Sequence, residues 1–248
     1  GLTRLLQAEK RDWKAVLLTA LSLGAIGFTS MYYLYMTLII SAVLVLGYVL
    51  LAKFKPLRRK SFWINALLAA LFCLPLVLAS LKPFIELSGS GGLASRSVEY
   101  ASMYSASPTD FFLPSSDHFL FGAPLSRFFD RSLWMESSFY ISLTGLALFL
   151  LALIWNQRSE HRVFIWAAFL AVLAAFILSL GINLHWNNQS VVWQVPAFLQ
   201  PLLHRSETQI FLPANWLFQH LPFFDKMRTL MRFGLFVLIF ITALAGLG

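Results

Sequence analysis

The chain has few charged residues and only one cysteine. Of its 248 residues, 12% are Asp, Glu, Lys or Arg, whereas 58% are hydrophobic. Soluble domains carry about 25% charged and about 45–50% apolar residues, so this composition excludes an ordinary soluble domain. The single cysteine, Cys73, lies in an apolar run and excludes an internal disulfide framework or a cysteine-cluster metal site. The composition therefore predicts an integral membrane protein.

The familiar motifs of soluble enzymes are also missing. No GxGxxG, Walker A, HExxH or GxSxG pattern occurs, so no cofactor is evident. The net charge of +8 suggests nucleic acid, but much of it comes from one cluster between two apolar runs: Lys53, Lys55, Arg58, Arg59 and Lys60. Such a cluster is typical of a cytoplasmic turn that faces anionic lipid headgroups. We therefore expect membrane lipids as partners and no nucleic acid.

The apolar runs predict the fold class. A helix needs about 20 apolar residues to cross a hydrocarbon core of about 30 Å, so the 38-residue run 15–52 is too long for one span. Gly24, Gly27 and the residues up to Tyr33 predict a break there, at the tip of a helical hairpin. We expect an all-α fold, a polytopic transmembrane helix bundle of about six spans. Their ranges are 15–29, 31–52, 62–81, 138–155, 163–180 and 229–248.

The charges predict which side each connection occupies. Segments 1–14, 53–61 and 156–162 hold 11 of the 19 basic and three of the 11 acidic residues, a net charge of +8. The positive-inside rule makes these segments cytoplasmic. The long connections 82–137 (the first loop) and 182–228 (the second loop) then lie outside. The sixth run continues to Gly248 and no initiator Met is present, so we expect residues 1–248 to be one transmembrane domain and a fragment of a longer protein.

Both loops are rich in Phe, Trp and Leu, and their prolines predict short interfacial helices and turns rather than a sheet domain. Asp110, Asp117 and His118 form the densest cluster of acid–base groups. They could supply a general base or an acidic site for a divalent cation. Alternatively, Asp110 and Asp117 serve as turn or helix-cap residues beside Pro108 and Pro114. His185, His204 and His220 lack the spacing of metal ligands, and no single catalytic residue is assigned from the residues alone.

Three further charged residues lie near predicted span ends. Glu136 precedes the fourth span and is either solvated or directed into a cavity of the bundle. Arg228 and Arg232 are four residues apart, so they share one helix face where the sixth span begins. Forked guanidinium donors match phosphate oxygens, so this pair could bind a lipid phosphate. The alternatives are snorkelling to the interface and an ion pair with Asp225.

Several segments together resemble a known superfamily. They are the hairpin Leu21–Tyr35, with its Thr-Ser-Met-Tyr-Tyr tip, and Asp110-Phe-Phe-Leu-Pro-Ser-Ser-Asp-His-Phe-Leu-Phe-Gly122. The others are Glu136 ahead of Tyr140-Ile-Ser-Leu-Thr-Gly, and Leu221-Pro-Phe-Phe-Asp-Lys-Met-Arg-Thr-Leu-Met-Arg-Phe-Gly-Leu235. As a pattern over residues 13–248, they resemble the later two-thirds of large bacterial membrane proteins related to GT-C-type glycosyltransferases.

The resemblance implies an enzyme of the bacterial inner membrane that transfers sugar from a polyprenyl-phosphate donor to an acceptor at the outer face. The superfamily's catalytic acid lies in a first outer loop upstream of this chain and cannot be carried over. The resemblance implies donor binding for Arg228 and Arg232, and a pocket role for Asp110, Asp117, His118 and Glu136. A transporter or flippase for lipid-linked saccharides and a structural subunit of a membrane complex are the alternatives.

Overall fold

The computed structural model describes residues 1–92, 94–130, 136, 138–155, 161–198, 200–203, 206–227 and 229–247. The chain is mostly helical, as predicted. The described α-helices are α1 Leu2–Gln7, α2 Trp13–Thr29, α3 Met31–Leu51, α4 Lys60–Gly89, α5 Val98–Met103, α6 Gly122–Leu125, α7 Leu143–Trp155, α8 Arg162–Ser179, α9 Gln200–Leu203, α10 Pro213–His220 and α11 Gly234–Ala245. Short 3₁₀ helices cover Pro56–Arg58, Pro108–Phe111, Phe224–Lys226 and Leu230–Phe233.

Three of these helices, α3, α4 and α8, are long and apolar enough to cross a membrane. The apolar helices at the other three predicted positions are shorter, with 17 residues in α2, 13 in α7 and 12 in α11. Helix α7 begins at Leu143 rather than at residue 138. Residues 138–142 are not helical, and the Ile141 N–H donates to the Phe111 carbonyl at 2.8 Å. The count of six spans therefore stays a prediction.

The chain divides into two compact units, which are described separately. Unit 1 contains residues 1–94 and 151–171, and unit 2 contains residues 95–150 and 172–247. In unit 1 the apolar run 15–52 forms two helices, as predicted, and the break is at Ser30. The backbone of Ser30 is extended, with φ −164° and ψ 122°, which no helix continues through. Ser30 therefore ends α2 and caps α3.

The glycines expected to cause this break have another role. Gly24 and Gly27 lie inside α2 and are buried against α4. A Cβ atom on Gly24 would lie 2.6 Å from Leu76 Cδ1, and one on Gly27 would lie 2.7 Å from Ser80 Oγ. The absence of side chains thus lets the two helices approach closely. The predicted position of the break was correct, but its attribution to these glycines was wrong.

The N-terminal segment is fastened to the start of α4 within unit 1. The buried Asn65 side chain donates to the Lys10 carbonyl at 3.0 Å and accepts the Asp12 N–H at 3.1 Å. The Ser61 hydroxyl donates to the Ala8 carbonyl at 3.0 Å. Two of the segments predicted to be cytoplasmic, 1–14 and 53–61, are therefore at the same end of unit 1. This agrees with the charge distribution.

Unit 2 contains short strands that the all-α prediction did not include. Strands β1 His185–Trp186 and β2 Gln189–Ser190 form an antiparallel hairpin. Its connection, Asn187–Asn188, has φ 53° and 62°, as a type I′ turn requires. Strands β3 Val192–Gln194 and β4 Glu207–Gln209 form a second antiparallel ribbon. The second loop thus contains two ribbons, which are followed by α10. The first hairpin can close because asparagine tolerates the left-handed backbone of its turn.

Stacked aromatic rings form much of the core of unit 2. The ring of Phe111 stacks on Phe139 at 5.4 Å between centroids and meets Phe176 edge-on at 4.9 Å. The ring of Phe224 stacks on Phe233 at 6.3 Å. All but Phe176, which is partly exposed, are at most 3% exposed. Both loops therefore contribute a buried aromatic ring to the core of unit 2, Phe111 from the first and Phe224 from the second.

Candidate functional site

The structure brings two of the predicted site residues into contact. The Glu136 carboxylate accepts hydrogen bonds from Arg232 Nε at 3.1 Å and from Arg232 Nη2 at 3.0 Å. This is a bidentate ion pair, and the two side chains are 31% and 30% exposed. The carboxylate neutralises an arginine that would be costly in an apolar setting. Glu136 is thus a partner of Arg232, and the pairing with Asp225 that was weighed from the sequence stays a prediction.

The local fold explains why Arg232 reaches outward. It lies in the 3₁₀ helix Leu230–Phe233, whose other three residues are buried. The next residue, Gly234, starts α11 at a position where a Cβ atom would lie 2.8 Å from the Phe139 ring. Since Phe139 is three residues after Glu136, this close approach brings the carboxylate to the guanidinium. The glycine thus positions the ion pair.

Asp110 lies on a third element that shares the aromatic core. It is fully buried at the end of the 3₁₀ helix Pro108–Phe111, beside Phe111, which stacks on Phe139. Its Oδ2 accepts the Ser107 N–H at 2.8 Å in a capping box. The cap role proposed as the alternative for Asp110 is therefore present, and a pocket role for it remains a prediction.

Asp117 and His118 lie in a different local setting. Asp117 is exposed. His118 Nδ1 accepts the N–H groups of Leu120 and Phe121, both at 3.3 Å. Its ring stacks on Phe119 and Phe121 at 5.4 Å and 5.3 Å. These contacts make His118 the centre of an aromatic turn. Phe119 in that turn is 88% exposed, so the turn presents apolar surface.

Arg228, the other half of the predicted phosphate-binding pair, lies outside the described residues. Its role stays a prediction. The divalent cation considered from the sequence finds no donor set in the described part of the chain, where no three His, Cys, Asp or Glu side chains come together. The pair formed by Glu136 and Arg232 is therefore the best-defined charged site in unit 2.

Sequence reasoning missed a polar network that joins the two loops. The Ser102 hydroxyl donates to Asn183 Oδ1 at 2.5 Å and lies 3.5 Å from His185 Nε2. The Asn183 amide donates to the Ser190 hydroxyl at 2.5 Å, and His185 Nδ1 is 2.9 Å from the Asn183 carbonyl. Burial lowers the pKa of His185, while the bond to the Asn183 carbonyl acts in the opposite direction. No spacing in the sequence indicates this network, since Ser102 is 81 residues from Asn183.

Comparison of the chain with protein-family models, curated proteins and solved structures finds no match. What the site can do must therefore be argued from its own geometry. Three candidate residues, Asp110, Glu136 and Arg232, lie on elements that meet at one aromatic core of unit 2, and two of them form a partly exposed ion pair.

Proposed function

We propose that the chain is part of an integral membrane, glycosyltransferase-like protein that binds a polyprenyl-phosphate sugar at the outer face of the membrane. The ion pair between Glu136 and Arg232 is the observation that carries this proposal. A guanidinium that holds a carboxylate with two parallel bonds has the donor geometry that also fits phosphate. The partial exposure of both groups leaves a route by which a lipid phosphate reaches Arg232.

In this proposal, donor binding exchanges the partner of Arg232. The phosphate takes the place of the carboxylate, and Glu136 is released as a base beside the bound donor. Glu136 then accepts the proton of an acceptor hydroxyl while the acceptor oxygen bonds to the sugar's anomeric carbon. The bond from that carbon to the phosphate oxygen breaks, and polyprenyl phosphate leaves. Asp110, buried beside the same core, holds the turn of the Pro108–Phe111 helix through its bond to the Ser107 N–H.

The sequence of the spans favours transfer over ion-coupled transport. The first five predicted spans contain no Asp, Glu, Lys or Arg. Proton- and ion-coupled transporters place such residues inside the membrane, where they form the coupling path. The charged residues weighed as site residues lie instead at span ends and in the loops. A site at the membrane surface is what a transferase acting on a lipid-linked donor requires.

Binding of a fluorescent polyprenyl phosphate to the purified chain in detergent micelles tests the proposal. Arg232→Leu should weaken binding about tenfold or more, which corresponds to about 1.4 kcal/mol. Arg127→Leu is the matched control, because Arg127 is an exposed arginine of the first loop, and it should change binding less than twofold. Equal effects of the two substitutions would rule out a specific phosphate contact at Arg232.

A second variant separates this role from a purely structural ion pair. Glu136→Gln removes the competing carboxylate and keeps the side-chain volume, so polyprenyl phosphate should bind as tightly as before or more tightly. Sugar transfer from a lipid-linked donor should be lost, because the base is gone. Weaker phosphate binding in the folded Glu136→Gln protein would contradict the exchange of partners.

A further inference from the structure

A second charged site lies in unit 1, on the segments that are predicted to be cytoplasmic. A cavity of about 350 Å³ lies at the C-terminal end of α3. Its wall includes the basic residues Lys53, Lys55 and Arg59 and the apolar residues Leu51 and Val163. The lining thus combines cationic groups that can hold an anion with apolar groups that can contact hydrocarbon. Ligand pockets in proteins have volumes in the same range, about 300–1,000 Å³.

The end of α3 places Lys53 at a position where glycine is preferred. The Phe54 N–H donates to the Val49 carbonyl at 2.9 Å, and the Lys53 N–H donates to the Leu50 carbonyl at 3.0 Å. These two bonds form a Schellman motif in which Lys53 is left-handed, with φ 53°, and the following Phe54 is also left-handed, with φ 61°. A lysine held in a conformation that costs it energy suggests that its side chain is needed there.

The third basic residue of the cavity is fixed by the N-terminal segment. Arg59 Nη1 donates to the Gln7 carbonyl at 3.1 Å, and its Nη2 lies 3.6 Å from the Glu9 carboxylate. Arg59 is therefore tethered to the N-terminal segment, whereas Lys53 and Lys55 are exposed. Lys53 and Lys55 have no acidic partner within the described ranges of the chain. The two ammonium groups are thus available to an anion from outside the protein.

The position of the cavity at the end of α3 indicates the source of the anion. Helix α3 has 21 residues, which at 1.5 Å each span about 32 Å, close to the thickness of the hydrocarbon core. The cavity at its end therefore lies at headgroup depth. We infer that this cavity binds the phosphate of an anionic phospholipid, with Lys53 and Lys55 as the contacts and Leu51 and Val163 against the lipid's glycerol and upper acyl chains.

A titration of the delipidated chain in uncharged detergent, followed by native mass spectrometry, tests this inference. Phosphatidylglycerol should bind at one tight site, whereas phosphatidylcholine, which carries no net charge, should bind at least tenfold more weakly. Lys53→Gln with Lys55→Gln should weaken the tight binding at least tenfold. The matched control, Arg58→Gln with Lys60→Gln, removes the same charge from exposed residues of the same turn and should change it less than twofold.

Three outcomes would overturn the inference. Equal losses in the two double variants would show attraction to the summed surface charge and not a site. Equal binding of phosphatidylcholine would show that the net negative charge of the headgroup is not recognised, because both lipids carry an anionic phosphodiester. Displacement of phosphatidylglycerol by inorganic phosphate at the same concentration would assign the site to free phosphate. Lys53→Gly serves as a second variant, because glycine suits the backbone there: the protein should stay folded and still lose phosphatidylglycerol affinity.

Discussion

At the scale of single residues, the ion pair between Glu136 and Arg232 determines how an arginine is tolerated at the start of an apolar helix. Two charge-assisted hydrogen bonds hold the guanidinium. Glu136→Gln should lower the free energy of unfolding by about 1–2 kcal/mol, because a charged acceptor is replaced by a neutral one. Chemical denaturation in detergent measures this change.

The control for this prediction is an exposed pair. Glu86 lies 4.0 Å from Lys82 with both side chains largely in solvent, so Glu86→Gln should change the free energy by less than about 0.5 kcal/mol. A double-mutant cycle of Glu136→Gln with Arg232→Met isolates the coupling between the two groups. A coupling energy near zero would contradict the ion pair.

His185 makes the stability of unit 2 depend on pH. It is 5% exposed, and burial lowers its pKa below the ordinary value of 6.5. The unfolded chain therefore binds a proton at a higher pH than the folded protein does, and stability rises with pH across that interval. The folded protein should be fully stable above about pH 6.5 and lose stability as the pH falls below it.

Melting temperatures at pH 7.5, 6.5 and 5.5 measure this dependence. His185→Gln removes the titrating group and keeps polar atoms for the network with Ser102 and Asn183. The variant should lose less stability than the parent between pH 6.5 and 5.5. Parallel curves for the two proteins would show that His185 is not responsible.

The sequence identified the individual charged residues of the site but not the residues that they contact. Glu136 and Arg232 were both singled out as charges near span ends, but 96 residues separate them and no local pattern connects them. The cap role of Asp110 was foreseeable because Pro108 and Ser107 stand at the right spacing. The network around His185 was not, because it forms only when the two loops fold together.

At the scale of elements, the contact of α2 with α4 depends on a glycine. Gly24→Ala would place a Cβ atom 2.6 Å from Leu76 Cδ1 and 2.9 Å from Leu76 Cβ. The variant should lose about 1–3 kcal/mol of stability, because the two helices must move apart. Gly89→Ala is the control, since nothing lies within 4 Å of its added atom and alanine favours a helix.

Leu76→Ala offers a rescue of the same contact. It removes the 2.6 Å contact with Cδ1 but leaves Cβ 2.9 Å from the added methyl group, so the double variant should recover only part of the stability lost in Gly24→Ala. Thermal unfolding in detergent provides the comparison. If Gly24→Ala were as stable as Gly89→Ala, the close packing of α2 on α4 would be contradicted.

The end of α3 gives a prediction of opposite sign. Lys53→Gly relieves a left-handed backbone that costs an L-residue about 1–2 kcal/mol, so the melting temperature should rise. The single substitution Lys55→Gly is the matched control. The φ of Lys55 is not positive, so this variant should gain no stability. A lower melting temperature for Lys53→Gly would indicate that the side chain, and not the backbone, dominates at this position.

Helix existence was predictable from the sequence, but helix ends and loop structure were less so. The long apolar runs indicated α2, α3, α4, α7 and α8 because hydrophobic length alone marks a membrane helix. The late start of α7 depends on a bond from Ile141 to Phe111, which is a tertiary contact. The hairpin of β1 and β2 depends on two consecutive asparagines. They are a turn signal, but the aromatic composition of the second loop led to a prediction of interfacial helices instead.

At the scale of the whole molecule, both proposals rest on the membrane topology that the charge distribution predicts. Segments 1–14 and 53–61 carry net positive charge and meet at one end of unit 1. The two loops carry the candidate acids and belong to unit 2, apart from residues 82–94 of the first loop. The predicted topology puts the proposed phosphate contact at Arg232 outside and the proposed lipid site at Lys53 on the cytoplasmic side.

Cysteine labelling of intact cells tests this assignment most directly. In a Cys73→Ser background, single cysteines replace two exposed residues, Arg58 in the basic turn and Asp117 in the first loop. A membrane-impermeant maleimide should label Asp117→Cys in intact cells and should label Arg58→Cys only after the membrane is opened. Labelling of both positions from the same side, or the reverse order, would contradict the topology on which both proposed sites depend.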